Sequence, residues 1–162
     1  MEKFSHKINY KYLSKALGIS EELSIKFLND GRIMGRLGEF ILEERGVGIR
    51  SGNENTPYDN ITEDDKRIEV RSITNKVSFA SSKEIGFGRS VTEAGFQDKL
   101  DSIDYYVCID FSDKNTIDFI PITKDDIKEM IDNKIIGKNK AVSKKKFYKY
   151  LNRWTIKKYM MT

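Results

Sequence analysis

The segment YYVCIDF, residues 105–111, is the most apolar in the chain and reads as a central strand. Asp113, Lys114 and Asn115 supply turn chemistry just after it, so 116–122 pairs with it as the next strand. Thr123 is placed to cap a helix over 124–133, and a strongly basic helix is expected over 143–160. Upstream, 9–29 reads as helical. Ser20 there caps a new turn, Glu21 and Glu22 favour its first turn, and Leu23, Phe27 and Leu28 make an apolar face. The next helical stretch, 31–45, carries Ile33, Leu37, Phe40 and Ile41 and stops at Gly46. The character then changes to short β-compatible pieces at 47–50 and 58–61, with turn residues over 51–55 and a hairpin tip at 63–66. Residues 67–74 alternate: Ile68, Val70 and Ser72 point one way, Glu69, Arg71 and Ile73 the other. A further strand is expected over 77–81 and a helix over 92–102. Helices, strands, a helix, two strands and helices in that order predict an α/β (α+β) domain with a mixed central sheet flanked by helices. The 162 residues suit one domain, divided into a helical extension (1–30), a core (31–122) and basic C-terminal helices (123–162).

One cysteine, Cys108, and one histidine, His6, rule out an intrachain disulfide framework and leave almost no basis for a Cys/His zinc site. Catalysis by a Ser-His pair would have to rest on His6 alone. No apolar run approaches the ~20 residues that cross a bilayer, and the first residues carry no continuous apolar stretch, so no membrane association is expected and a cytoplasmic location fits. The net charge of +4 is unevenly placed. Residues 133–162 hold ten Lys or Arg and no acid, leaving 19 basic against 25 acidic residues in 1–132. A polyanion such as nucleic acid is the natural partner of such a tail, although a lysine-rich solvated face would look the same.

The chemistry concentrates in Pro57-Tyr58-Asp59, nine residues, then Glu69-Val70-Arg71. A turn puts Asp59 at the start of one strand, and a hairpin returns the next strand beside it. Glu69 and Arg71 then share a sheet face, so two carboxylates can meet with the Val70 carbonyl nearby. Hard oxygen donors of this kind suit Mg²⁺, with Mn²⁺ as substitute. A cation two residues beyond the glutamate is placed to orient an attacking water or stabilise charge on phosphorus.

This pattern resembles the PD-(D/E)xK nuclease superfamily, which includes most type II restriction enzymes and the archaeal Holliday-junction resolvases. The resemblance spans about 31–111: the helix GRLGEFILEERG, the segment IRSGNENTPYDN, the strand RIEVRS and the later EAGFQDKLDSIDYYVCIDF. It implies a restriction-endonuclease-like fold and a catalytic set of Asp59, Glu69, Arg71 and Glu39, with Asp59, Glu69 and Val70 as metal ligands. Glu39 matches the family's helix glutamate, with Glu43 as substitute, yet it lies opposite Leu37 and Ile41, where a solvent-exposed residue is equally expected. Two departures stand out. Tyr58 separates proline from aspartate, and Arg71 replaces the motif lysine. Arginine is always charged and cannot shuttle a proton, so Lys83 or Lys99 is a candidate to replace it, or the chain is a weakened form.

Candidate DNA-contacting residues are Arg50 and Ser51 before the acidic pair, Ser82, Lys83 and Arg89 in the glycine-bearing loop after it, and Lys99 on the following helix. In the tail, Phe147, Leu151 and Trp154 share a helical face that suits core packing, leaving lysines for the phosphate backbone. The resemblance implies a Mg²⁺-dependent endonuclease acting on double-stranded DNA, a type II restriction enzyme working as a homodimer alongside a cognate DNA methyltransferase. A structure-selective nuclease and a DNA-binding relative without catalysis remain as alternatives.

Overall fold

The computed structural model describes residues 1–52, 56–80, 92–113 and 115–160, with side chains through Asn152. In chain order the elements are β1 (Phe4–Lys7), α1 (Tyr10–Leu17), α2 (Glu21–Leu28), α3 (Gly31–Glu44), β2 (Ile49–Arg50), β3 (Asn60–Ile61), β4 (Arg67–Ile73), β5 (Lys76–Ser78), α4 (Glu93–Asp101), β6 (Tyr105–Asp110), β7 (Thr116–Thr123), α5 (Lys124–Asp132), β8 (Ala141–Ser143) and α6 (Lys144–Met160). Ser82, Lys83 and Arg89, and the side chain of Trp154, lie outside the residues and side chains described.

The expected α/β architecture is present. Six strands form one mixed sheet in the order β1-β7-β6-β4-β3-β2. The apolar segment supplies β6, which lies parallel to β4 (Val70 opposite Val107) and antiparallel to β7 (Cys108 opposite Ile120). The chain between the parallel pair passes through α4, as a crossover requires. The strands β2, β3 and β4 form an antiparallel meander.

Alternation sorts the side chains into two layers. Ile68, Val70, Val107 and Ile109 pack with Met34, Ile41 and Leu42 of α3. Ile73, Tyr106 and Cys108 pack on the other face with Phe96 and Leu100 of α4, Ile127 and Met130 of α5, and Phe147 of α6. With helices on both faces, β6 is buried along nearly its whole length, which is why its sequence is continuously apolar rather than alternating. Helix α3 reaches the sheet because residue 38 is glycine: a Cβ there would stand 1.9 Å from Ile109 Cδ1.

Several elements differ from the sequence expectation. The run 9–29 is two helices: Gly18 takes the left-handed conformation (φ 66°) after the first, and Ser20 caps the second as expected, its side chain accepting from the Leu23 N–H. The apolar face expected there is split: Leu28 is buried, while Leu23 and Phe27 are about half exposed. Strand β5 is shorter than 77–81 and joins the unanticipated β8 in a separate two-stranded sheet. Strand β1 was also unanticipated; its four residues pair with β7. Thr123 caps α5 as expected, in a reciprocal box with Asp126.

Candidate active site

The β3–β4 hairpin sets the frame. Its tip closes where the Thr62 N–H donates to the Lys66 carbonyl, with Asp65 at φ 60°. Behind the tip, Asn60 faces Ile68, and the Asp59 N–H extends the ladder by donating to the Ile68 carbonyl at 2.8 Å. Asp59 stands just before the first residue of β3, and its side chain bonds to β4 as well: Oδ2 accepts the Val70 N–H at 2.7 Å. The aspartate therefore bonds to the backbone of the residue that follows Glu69.

Glu69 is buried, with 4% of its surface exposed. Its Oε1 accepts from Arg71 at 2.6 Å and its Oε2 from Lys99 at 2.5 Å. Arg71 also donates to the Ala80 carbonyl at 2.9 Å, and Lys99 donates to the Pro57 carbonyl. Burial pushes Glu69 up from the ordinary carboxylate range, with Asp59 adding to the effect against Arg71 and Lys99. Burial also pulls Lys99 down, against the attraction of Glu69. Both shifts favour the neutral forms, so desolvation outweighs the pairing.

Glu39 arrives from α3. The expectation of a possible solvent-exposed place is corrected: the residue is buried. The helix turns Met34, Gly38, Ile41 and Leu42 inward and leaves Phe40 outward. The flank bearing Glu39 is covered by the β2–β3 region, where Asn60 Nδ2 donates to the Glu39 carbonyl at 3.2 Å and to the Gly48 carbonyl at 3.4 Å. Burial first, and the charge of Asp59 second, push the Glu39 carboxyl up to about 7, against Arg36, which donates to its Oε2 at 2.6 Å. Asp59 thus acts electrostatically on both Glu39 and Glu69, and the three acids come from α3, the start of β3 and β4.

Other sequence candidates fall around this group. Arg50 Nε donates to Glu43 Oε2 at 2.7 Å, and its guanidinium lies 3.7 Å from the Phe40 ring centre. Glu43, the possible substitute for Glu39, is held below the ordinary range by that hydrogen bond. The Ser51 N–H donates to the Asp59 carbonyl at 2.9 Å, so this serine helps to fix the aspartate loop. Lys99, named as a DNA contact, lies inside the acidic group. Asn60 was not singled out beforehand; it is fully buried, and the only hint was an amide adjoining Asp59 in a strand.

Among the described residues, no group of three or more His, Cys, Asp and Glu side chains could hold a metal ion. The donors present are all oxygens, which fits a hard cation. Both oxygens of Glu69 already face cations, Oε1 Arg71 and Oε2 Lys99. No protein-family model, curated protein or solved structure matches the chain.

Proposed function

We infer that the chain is a Mg²⁺-dependent endonuclease that hydrolyses DNA phosphodiester bonds, a type II restriction enzyme cutting a short duplex site. The observation that carries this reading is the joining of Asp59 and Glu69 by the Val70 backbone, with Glu39 coupled to the same aspartate. Its setting adds support: helix α3, the meander β2-β3-β4, helix α4 and parallel β6 follow one another in the order of a restriction-endonuclease-like core.

In this reading Asp59, Glu69 and the Val70 carbonyl hold the ion. A bound Mg²⁺ supplies Lewis acidity toward the phosphate and a more acidic water. The chain's own residues do the rest. The Val70 N–H orients Asp59, and the Ser51 N–H and Pro57 carbonyl brace its loop. Glu39, whose carboxyl stands at about 7, is suited to exchange a proton with water near neutral pH. Exposed Lys145, Lys146 and Lys149 on α6 are free to meet the DNA backbone, whereas Lys144 is tied to Asp110 at 2.8 Å and Lys140 to Glu93.

The test is incubation of plasmid DNA with the chain and Mg²⁺. Discrete fragments are expected, and Asp59→Asn or Glu69→Gln should abolish them, with circular dichroism showing each variant folded. Intact DNA across many sequences counts against the reading. A second reading, a DNA-binding relative without catalysis, is favoured by one observation: both oxygens of Glu69 already face cations. It predicts a mobility shift on DNA with no cutting.

A further inference from the structure

Asp110, the last residue of β6, is a buried carboxylate apart from the acidic group. Its Oδ1 accepts from Lys144 Nζ at 2.8 Å and from the Ser112 N–H at 2.9 Å, and its Oδ2 accepts from the Tyr148 hydroxyl. Against burial, these hydrogen bonds hold the carboxyl below the ordinary range, so it stays ionised. Lys144 and Tyr148 stand four residues apart, one above the other on a single face of α6. Two bonds to one carboxylate from that face fix the rotation of the helix about its own axis. Phe147 and Tyr150 are then turned into the core, where Tyr150 donates to Glu129 of α5 at 3.1 Å. Lys145, Lys146 and Lys149 are left on the outer side, all exposed.

The same carboxylate ties α6 to the strand that carries Glu69. In the parallel pair β6–β4, Asp110 lies opposite Ile73 and Tyr106 opposite Glu69. The root of α6 therefore stands four residues along the strands from Glu69, roughly 13 Å. The Lys144 N–H adds a second tie to that end of the sheet, donating to the Asn75 carbonyl at 3.0 Å. Each strand of a duplex presents a phosphate every ~3.4 Å of the axis, so a few base pairs span the distance. We propose that Asp110 is a positioning residue for duplex DNA: it clamps Lys144 and Tyr148 so that Lys145, Lys146 and Lys149 face the phosphate backbone in fixed register with the acidic group. This rests on the nuclease reading for its partner and adds to it a buried residue that acts only through the three lysines.

The salt dependence of binding reads the number of phosphate contacts directly. Anisotropy of a labelled duplex of about 30 base pairs, with the full chain in EDTA, is followed from about 0.05 to about 0.3 M KCl. Three phosphate contacts contribute about 2.7 to the slope of log affinity against log salt. Asp110→Asn, with all three lysines still present, should make the slope shallower by about 2 and weaken binding about tenfold or more at the low-salt end. In that background, Lys145→Ala, Lys146→Ala and Lys149→Ala together should cost little more. Tyr148→Phe removes one bond of the clamp and should give a smaller change of the same sign, which carries the test if Asp110→Asn fails to fold by circular dichroism. A role in stability alone lowers the Tm but leaves the slope and the full cost of the lysine changes intact, and that result overturns the proposal. So does a wild-type chain with no affinity for the duplex. The nuclease reading fails separately: a wild-type chain that shows these slopes yet leaves plasmid DNA intact with Mg²⁺ keeps Asp110 in its role and loses only the cutting.

Discussion

Glu39 shows what the surroundings of one side chain can do to its chemistry. Its carboxyl is pushed to about 7 from an ordinary 4.5, first by burial and then by Asp59. A carboxyl that holds its proton more tightly in the fold than in the unfolded chain stabilises the fold fully below the unfolded value and loses that contribution as pH rises through the folded one. Glu69, raised for the same first reason, has the same sign; Lys99, lowered by burial, has the opposite one. The window set by Glu39 runs from about 4.5 to about 7. Metal-free protein is expected to lose on the order of 3 kcal/mol of stability across it from this group. Glu39→Gln keeps the shape and removes the titration, so its stability should vary less with pH. Calorimetric melting at pH 5 and pH 8 measures both. A wild-type Tm that climbs over this interval, or a variant with an equal slope, contradicts the buried, coupled position of Glu39.

At the scale of elements, the approach of α3 to the sheet decides whether Glu39 reaches Asp59 at all. Gly38 permits that approach, since a Cβ would meet Ile109 Cδ1 at 1.9 Å. Gly38→Ala gains roughly 1 kcal/mol of helix propensity and should lose more, about 1–3 kcal/mol, to overpacking. Ile109→Val removes the offending methyl, so in that background the alanine should cost markedly less. Urea unfolding of the four proteins in the cycle gives the coupling, and strict additivity would mean that the helix is not seated on Ile109. These elements also show which parts of the fold were legible in the sequence. The alternation over 67–74 and the turn residues at 63–66 specify the hairpin locally, and with it the meeting of Glu69 with Arg71. Caps at Ser20 and Thr123 are local too. Strands β1 and β8 were not legible, because four and three residues of mixed polarity become strands only through distant partners. The burial of Glu39 was not legible for a related reason: helical periodicity gives the face toward the sheet, not the flank beside the β2–β3 region. Lys99 could be named from its helix, but its bond to a carboxylate 30 positions earlier is a tertiary fact.

For the whole molecule, the unresolved tension lies on the surface of the N-terminal helices. Tyr12, Leu23, Phe27 and Phe40 are 71%, 52%, 51% and 46% exposed, a density of apolar side chains that water tolerates poorly. Tyr12, Phe27 and Phe40 line an open cavity of about 760 Å³ between α1, α2 and α3. Among the described residues no helix is long and apolar enough to cross a membrane. The homodimer that the resemblance implies would supply a cover of the right chemistry, since a two-fold contact lets the same apolar patch bury itself against its copy. The same cavity is lined by Arg36, the partner of Glu39, so a subunit seated there would border the acidic group and link assembly to the site. Phe27→Glu puts a charge into the patch at a position on α2, outside the elements that carry Asp59, Glu69 and Glu39. Wild-type protein should sediment at twice the 18.8 kDa chain mass, and the variant as a folded monomer with cleavage reduced about tenfold or more. A wild-type chain that stays monomeric at concentrations where it cuts both strands of a site would separate the apolar face from catalysis and leave it to a different partner.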